Sequence, residues 1–192
     1  MAKTAKKSPT IFYWLSLLSA AGIIVMMFFN WFTFQATTFG NDNVLENYSL
    51  MQIDRFLTTV SKYVPIGGES WVPTAAIVAM IVVVALQVIY IIWALITVRR
   101  TPPRGIVPAI AAVIVGGGFL VGHAMFGSYI MKEQLDEYVH IEFYTAPFPY
   151  IVIMLAVATV VFALLNRQES RALYAVKHPR AFVFPPQNPE PV

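Results

Sequence analysis

The sequence predicts an all-α integral membrane protein: four transmembrane helices in a bundle, with a small outer cap of short strands and an amphipathic helix. Two observations carry this. Of 192 residues, 58% are apolar and 12% charged, and the mean hydropathy is +0.66, well outside the range of soluble domains. The apolar residues also gather into four stretches free of Asp, Glu, Lys and Arg. Each approaches the ~20 residues that a helix needs to cross ~30 Å of hydrocarbon, where backbone groups find no partner outside the helix.

The expected spans are residues 10–34, 71–98, 105–131 and 147–165, forming a membrane domain of residues 1–166 with outer loops at 35–70 and 132–146. Residues 167–192 form a basic, proline-rich tail. Lys3, Lys6 and Lys7 precede the first span as in a secretory signal, but the apolar run continues through Met26, Met27, Phe28 and Phe29 without a small-residue cleavage site. It reads as a retained anchor.

Charge sets the expected orientation. With the amino terminus in the cytoplasm, Lys3, Lys6, Lys7, Arg99, Arg100, Arg104, Arg167, Arg171, Lys177 and Arg180 lie inside, against Arg55, Lys62 and Lys132 outside. Basic residues beside span ends favour the cytoplasm, so both termini are expected there, in a cell (plasma or inner) membrane. The net charge of +3 then faces anionic lipid, and no nucleic-acid partner is implied. With no cysteine in the chain, disulfides, thiolate catalysis and thiolate metal sites are excluded.

The first outer loop is long enough for ordered structure. Residues 32–39, FTFQATTF, are aromatic and β-branched and alternate at first, as a half-buried strand does. Residues 40–43, GNDN, read as a turn. Leu50, Ile53, Leu57, Val60 and Val64 then recur at helical spacing. Ser49 and Gln52 form a capping box, with Tyr48 and Ile53 as a hydrophobic staple, and Pro65 ends the helix. In the second loop, residues 138–144, YVHIEFY, form a second strand. Both strands leave the bilayer on the same side, so residues 33–37 are expected to pair with 139–143. Asn47-Tyr48-Ser49 satisfies the glycosylation sequon.

Four spans, a longer first outer loop with strand and helix, a shorter second one, and a tryptophan closing the first span (Asn30-Trp31-Phe32) resemble the claudin-like four-helix architecture and its small prokaryotic look-alikes. The resemblance covers most of the chain and implies that architecture alone. The Gly-Leu-Trp motif and the first-loop cysteine pair of claudins are absent, so their barrier function is not carried over.

Polar residues and glycines within spans are the candidate functional positions. Gln87, near the middle of the second span, must find an interhelical partner. Asn30 and Trp31 read as an interfacial anchor. His123 lies ~27 Å along the third span from Gly105, at the outer rim. Ala112, Gly116, His123 and Gly127 share one stripe of that helix, and Gly118 and Gly122 make a small-xxx-small pair on another, so the third span is expected to be the packing centre or a partner-binding helix. His123, His140 and Glu142 are candidate ligands for a divalent metal or members of a proton relay.

No protease aspartate pair, Gly-x-Ser-x-Gly elbow, His-Glu-x-x-His pair or phosphate-cradling glycine loop is present, which argues against an enzyme. No cofactor is expected. The expected function is a non-catalytic membrane subunit or scaffold that meets other membrane proteins, or a second copy, through its third span, cap and tail. The alternative is a small-solute or proton-linked transporter or channel, with Gln87 lining the path and His123 at its outer gate. An extracellular ligand sensor is the third reading.

Overall fold

The computed structural model describes residues 10–38, 43–64, 71–98, 103–133 and 139–177. In chain order these form α1 (Ile11–Met26), β1 (Phe32–Thr38), β2 (Asn43–Tyr48), a 3-10 turn (Leu50–Gln52), α2 (Ile53–Val60), α3 (Trp71–Ile96), α4 (Ile106–Glu133), β3 (Val139–Thr145) and α5 (Phe148–Lys177). The turn of residues 40–43, Pro65 and the proline-rich end of the tail lie wholly or partly outside the described residues.

Among the described residues three helices are long and apolar enough to cross a membrane: α3, α4 over Ile106–Tyr129, and α5 over Phe148–Glu169. α1 differs from its expected extent of 10–34. At 16 residues it spans ~24 Å, short of a full hydrocarbon core. The cause is the sheet. Trp31 N–H donates to Tyr48 O at 2.7 Å, and Ala146 N–H donates to Trp31 O at 2.9 Å, so the backbone at Trp31 is committed to strands on both sides. The apolar run goes on through Phe32 and Phe34, but as β1.

The helices form a ring in which α1 and α4 each pack against both α3 and α5. Their inner faces use small side chains: Ala20, Ala94, Ala109, Ala112, Ala156 and Ala163 are all buried. Gly22 lets Leu155 approach to 3.0 Å from where a Cβ would stand, and Gly116 does the same for Ile153. Both contacts are with α5, so within the described residues α5 packs against a glycine of α1 and a glycine of α4. α5 also runs unbroken past residue 166, carrying the helix into the basic tail.

The outer surfaces of the helices are apolar. Leu18 and Val25 on α1, Ile81 and Ile89 on α3, Ile114 and Val121 on α4, and Met154 and Val157 on α5 are all exposed. Polar groups turn inward instead. Tyr13 Oη donates to Ala94 O at 3.1 Å, Tyr90 Oη to Ser16 Oγ at 3.3 Å, and Thr10 Oγ1 to Asn166 Oδ1 at 2.8 Å. An apolar exterior around a hydrogen-bonded interior inverts the pattern of a soluble bundle and fits a membrane-embedded protein.

One end of the ring carries the cap. Its sheet has the order β2-β1-β3 with both pairs antiparallel. Thr33 pairs with Tyr144 and Thr37 with His140, so the two expected strands do meet. The third strand, β2, has no clear signal in the sequence, because Asn43, Glu46 and Asn47 interrupt its apolar pattern. Phe32, Phe34 and Ala36 face the core, while Thr33 and Thr37 alternate outward. The Ser49–Gln52 capping box is present, with Ser49 N–H donating to Gln52 Oε1 at 3.1 Å. α2 stops at Val60, a turn before the expected Val64, although Val64 stays buried.

Candidate functional site

Beneath the cap, aromatic side chains from β1, β2, α2, β3 and α4 converge. The ring of Phe56 lies 4.7 Å from Phe32, 5.3 Å from Tyr48, 5.6 Å from Phe126 and 5.4 Å from Phe143. Edge-to-face and stacked pairs of this kind each add about 1 kcal/mol beyond area burial. Trp31 belongs to the same core. It is fully buried, packs edge-on against Phe119 at 5.1 Å, and donates Nε1–H to Met26 O at 3.0 Å. It therefore caps a carbonyl at the end of α1, whose other donor, Phe29 N–H, stands at a longer 3.4 Å, and is not the interfacial anchor expected from sequence.

Between this cluster and the bundle lies a cleft of about 230 Å³. Phe32 and Phe56 form its buried floor. Ile53 and Leu57 of α2 line one wall, Val72 of α3 another, and Phe119, Gly122 and Phe126 of α4 the third; Gly122 is exposed at the rim. His123 is the one polar residue in this lining. Its ring stacks on Phe143 with centroids 4.0 Å apart, and its Nδ1 lies 3.1 Å from Thr145 Oγ1. Its Nε2 is shut off from solvent and has no partner among the described residues.

The strand period separates the three candidate metal ligands. Residues 141, 143 and 145 of β3 face inward, where Phe143 and Thr145 hold His123. His140 and Glu142 lie on the opposite face and pair with each other, Nε2 to Oε1, at 3.2 Å. Tyr144 Oη also donates to Glu142, and with His140 it holds that carboxyl below the usual carboxylate range. Among the described residues no three His, Cys, Asp or Glu side chains gather as a metal site. The expected grouping of His123, His140 and Glu142 is therefore corrected. Alternation of Ile141 and Phe143 with His140 and Glu142 is the sequence signal that separates them.

Gln87 is fully buried and donates Nε2–H to Pro108 O at 3.1 Å, while its Oε1 has no partner among the described residues. Pro108 stands at the start of α4, so Gln87 lies ~22 Å along that helix from the level of His123. It does not line the His123 cleft.

The glycines of α4 divide by face. Ala112 and Gly116 are buried against the bundle, and Gly127 meets Phe143 at 3.9 Å. At Gly117, Gly118 and Gly122 nothing lies within 4 Å of where a Cβ would stand, and Gly118 and Gly122 are exposed. Among the described residues, packing therefore accounts for Gly116; at Gly127 a Cβ would make an ordinary contact, and at the other three it would meet nothing.

Two further hollows lie on the surface. An apolar groove of about 370 Å³ runs between α4 and α5, lined by Ile110, Val113, Val157 and Val161 among others. A polar one of about 260 Å³ lies on the cap, where Arg55 pairs with Glu46 at 3.3 Å and Tyr48 Oη donates to Glu46 at 2.6 Å. Those two contacts, the tyrosine hydrogen bond first, hold the Glu46 carboxyl below its ordinary range.

No protein-family model matches the chain, and no curated protein matches it in sequence.

Proposed function

We propose that the chain is a non-catalytic, multi-pass membrane subunit that assembles with another membrane protein through the outward glycine face of α4. In this reading α1 is the fourth span, completed at the cap end by Met27, Phe28 and Phe29, and both termini are cytoplasmic as the basic residues favour. A claudin-like plan of four helices under an outer cap is part of this proposal.

The observation that carries the reading is the unused space at Gly117, Gly118 and Gly122. Each glycine inside a helix costs about 1 kcal/mol relative to alanine, and no neighbour among the described residues makes use of that cost here. A partner helix crossing at Gly118 would, because small residues let backbones approach closely in lipid, where the hydrophobic effect gives helices no reason to associate. The transport reading has less behind it, since Gln87 and His123 sit at different levels and share no cleft.

The test is the native mass of the complex released in mild detergent. It should exceed the chain's own 21.5 kDa, and Gly118→Leu should return it to that value without loss of membrane insertion. A wild-type chain that emerges alone counts against the proposal.

A further inference from the structure

The groove of about 370 Å³ between α4 and α5 plays no part in the assembly reading. Gly118, where the partner helix is placed, lies about 110° round α4 from the stripe of Ile106, Ile110 and Val113, and more than a turn further along.

The level of the groove in the bundle decides what fills it. Tyr13 Oη reaches Ala94 O at 3.1 Å, and the Tyr90 ring stands 3.2 Å from where a Cβ of Gly105 would be. The start of α1, the end of α3 and the start of α4 therefore share one level. Trp14 and Trp93 are exposed there, as tryptophans are at the headgroup level of a bilayer. Ile106 marks the mouth of the groove close to that level, and the lining runs from it to Ile114, ~12 Å along the helix into the apolar zone. Ile110, Ile114, Val157 and Val161 are exposed along it, so it opens sideways to lipid. A hollow with this level, direction and lining takes an acyl chain whose headgroup stays at the mouth.

Charge at the mouth selects the headgroup. Arg104 is exposed and precedes Ile106 by two residues, at most ~7.6 Å between Cα atoms. Arg167 follows Val160 of the lining by seven residues, two turns along the same stripe of α5. A helical side chain leans back toward its own N-terminus, here toward the mouth. Glu169 falls on the opposite side of α5, and among the described residues neither arginine pairs with a carboxylate. Two guanidinium groups without an internal counter-charge favour an anionic phosphodiester over a zwitterionic headgroup.

We infer that the groove is a site for an anionic phospholipid, with one acyl chain between α4 and α5 and its phosphate at Arg104 and Arg167. The site needs the chain to be embedded in a bilayer, but it does not need the partner helix.

The test places the full chain in phosphatidylcholine nanodiscs with a trace of photoreactive lipid, either phosphatidylglycerol or phosphatidylcholine, each carrying the same diazirine-bearing acyl chain. Labelled peptides are mapped by mass spectrometry. Over residues 106–114 and 156–161 the anionic probe should label about fivefold more than the zwitterionic one, the scale of one basic side chain's attraction for anionic lipid. At Ile81 and Ile89 on exposed α3 the two should label nearly alike. Arg104→Gln combined with Arg167→Gln should bring the groove ratio to that of α3 while both probes still label the groove. Val157→Trp should fill the groove and lower label there from both probes, leaving α3 unchanged. A chain that inserts but shows the same ratio in the groove as on α3, or a groove preference that survives the double arginine variant, overturns the lipid site and leaves the membrane reading standing.

Discussion

The imidazole of His123 lies on the ring of Phe143, with centroids 4.0 Å apart and planes 12° from parallel. This contact joins α4 to β3 and so ties the cap to the bundle. Phe143 also meets Phe32, Phe56 and Phe126. Phe143→Ala should therefore destabilise the protein by about 3 kcal/mol, toward the low end for buried Phe because the ring is only half-buried. Chemical denaturation in detergent, followed by near-ultraviolet circular dichroism, measures it. His123→Phe should shift the same midpoint by less than about 1 kcal/mol, since an aromatic stack remains.

Trp31→Phe should cost about 1 to 3 kcal/mol. The phenyl ring keeps the packing against Phe119 but takes from Met26 O its shorter hydrogen bond, the one from Nε1–H. Thermal unfolding of the purified variant checks it. A midpoint equal to the wild type would mean that the α1 carbonyl finds another donor.

Gln87→Leu should be neutral or stabilising, within about 1 kcal/mol. It removes one interhelical hydrogen bond of a kind worth ~0.6 kcal/mol on average in membranes, but it also removes a buried oxygen with no partner among the described residues. Unfolding in a denaturing detergent titration gives the value. A large loss of stability would show that Oε1 has a partner, such as a bound water.

The cap should loosen in acid. Glu46 has a folded pKa held below its unfolded value by Tyr48 and Arg55. Its contribution is complete above the unfolded value of about 4.3 and is lost as pH falls through the folded one. The effect is small, because Arg55 is largely exposed and the pair is screened by solvent. Stability measured from pH 6 down to 3 should fall less steeply in Glu46→Gln than in the wild type.

The long helices are legible in the sequence because hydropathy over ~20 residues is a strong signal, and the β1–β3 pairing because both strands leave the bundle at one end. The end of α1 is not. Met26 to Phe34 is mostly apolar, and hydropathy cannot tell a lipid-facing helix from a buried strand; only pairing at Trp31 decides. The role of Trp31 is hidden for the same reason, since a tryptophan beside a span end looks alike in an interface and in a core. The division of α4 is half legible: helical spacing puts Ala112, Gly116 and Gly127 on one stripe, but that α5 uses Gly116 while Gly118 stays open depends on how the ring closes. Gly22, which fixes the α1–α5 contact, stands in a span with no other glycine, so no spacing marks it.

The central claim is that a partner helix crosses α4 at Gly118. Photo-cross-linking in native membranes from a photoreactive residue placed at Gly118 tests it most directly, with the same residue at Val161 on exposed α5 as the control. A discrete protein adduct from Gly118 and only lipid adducts from Val161 are predicted. Lipid adducts alone from both positions would contradict the account.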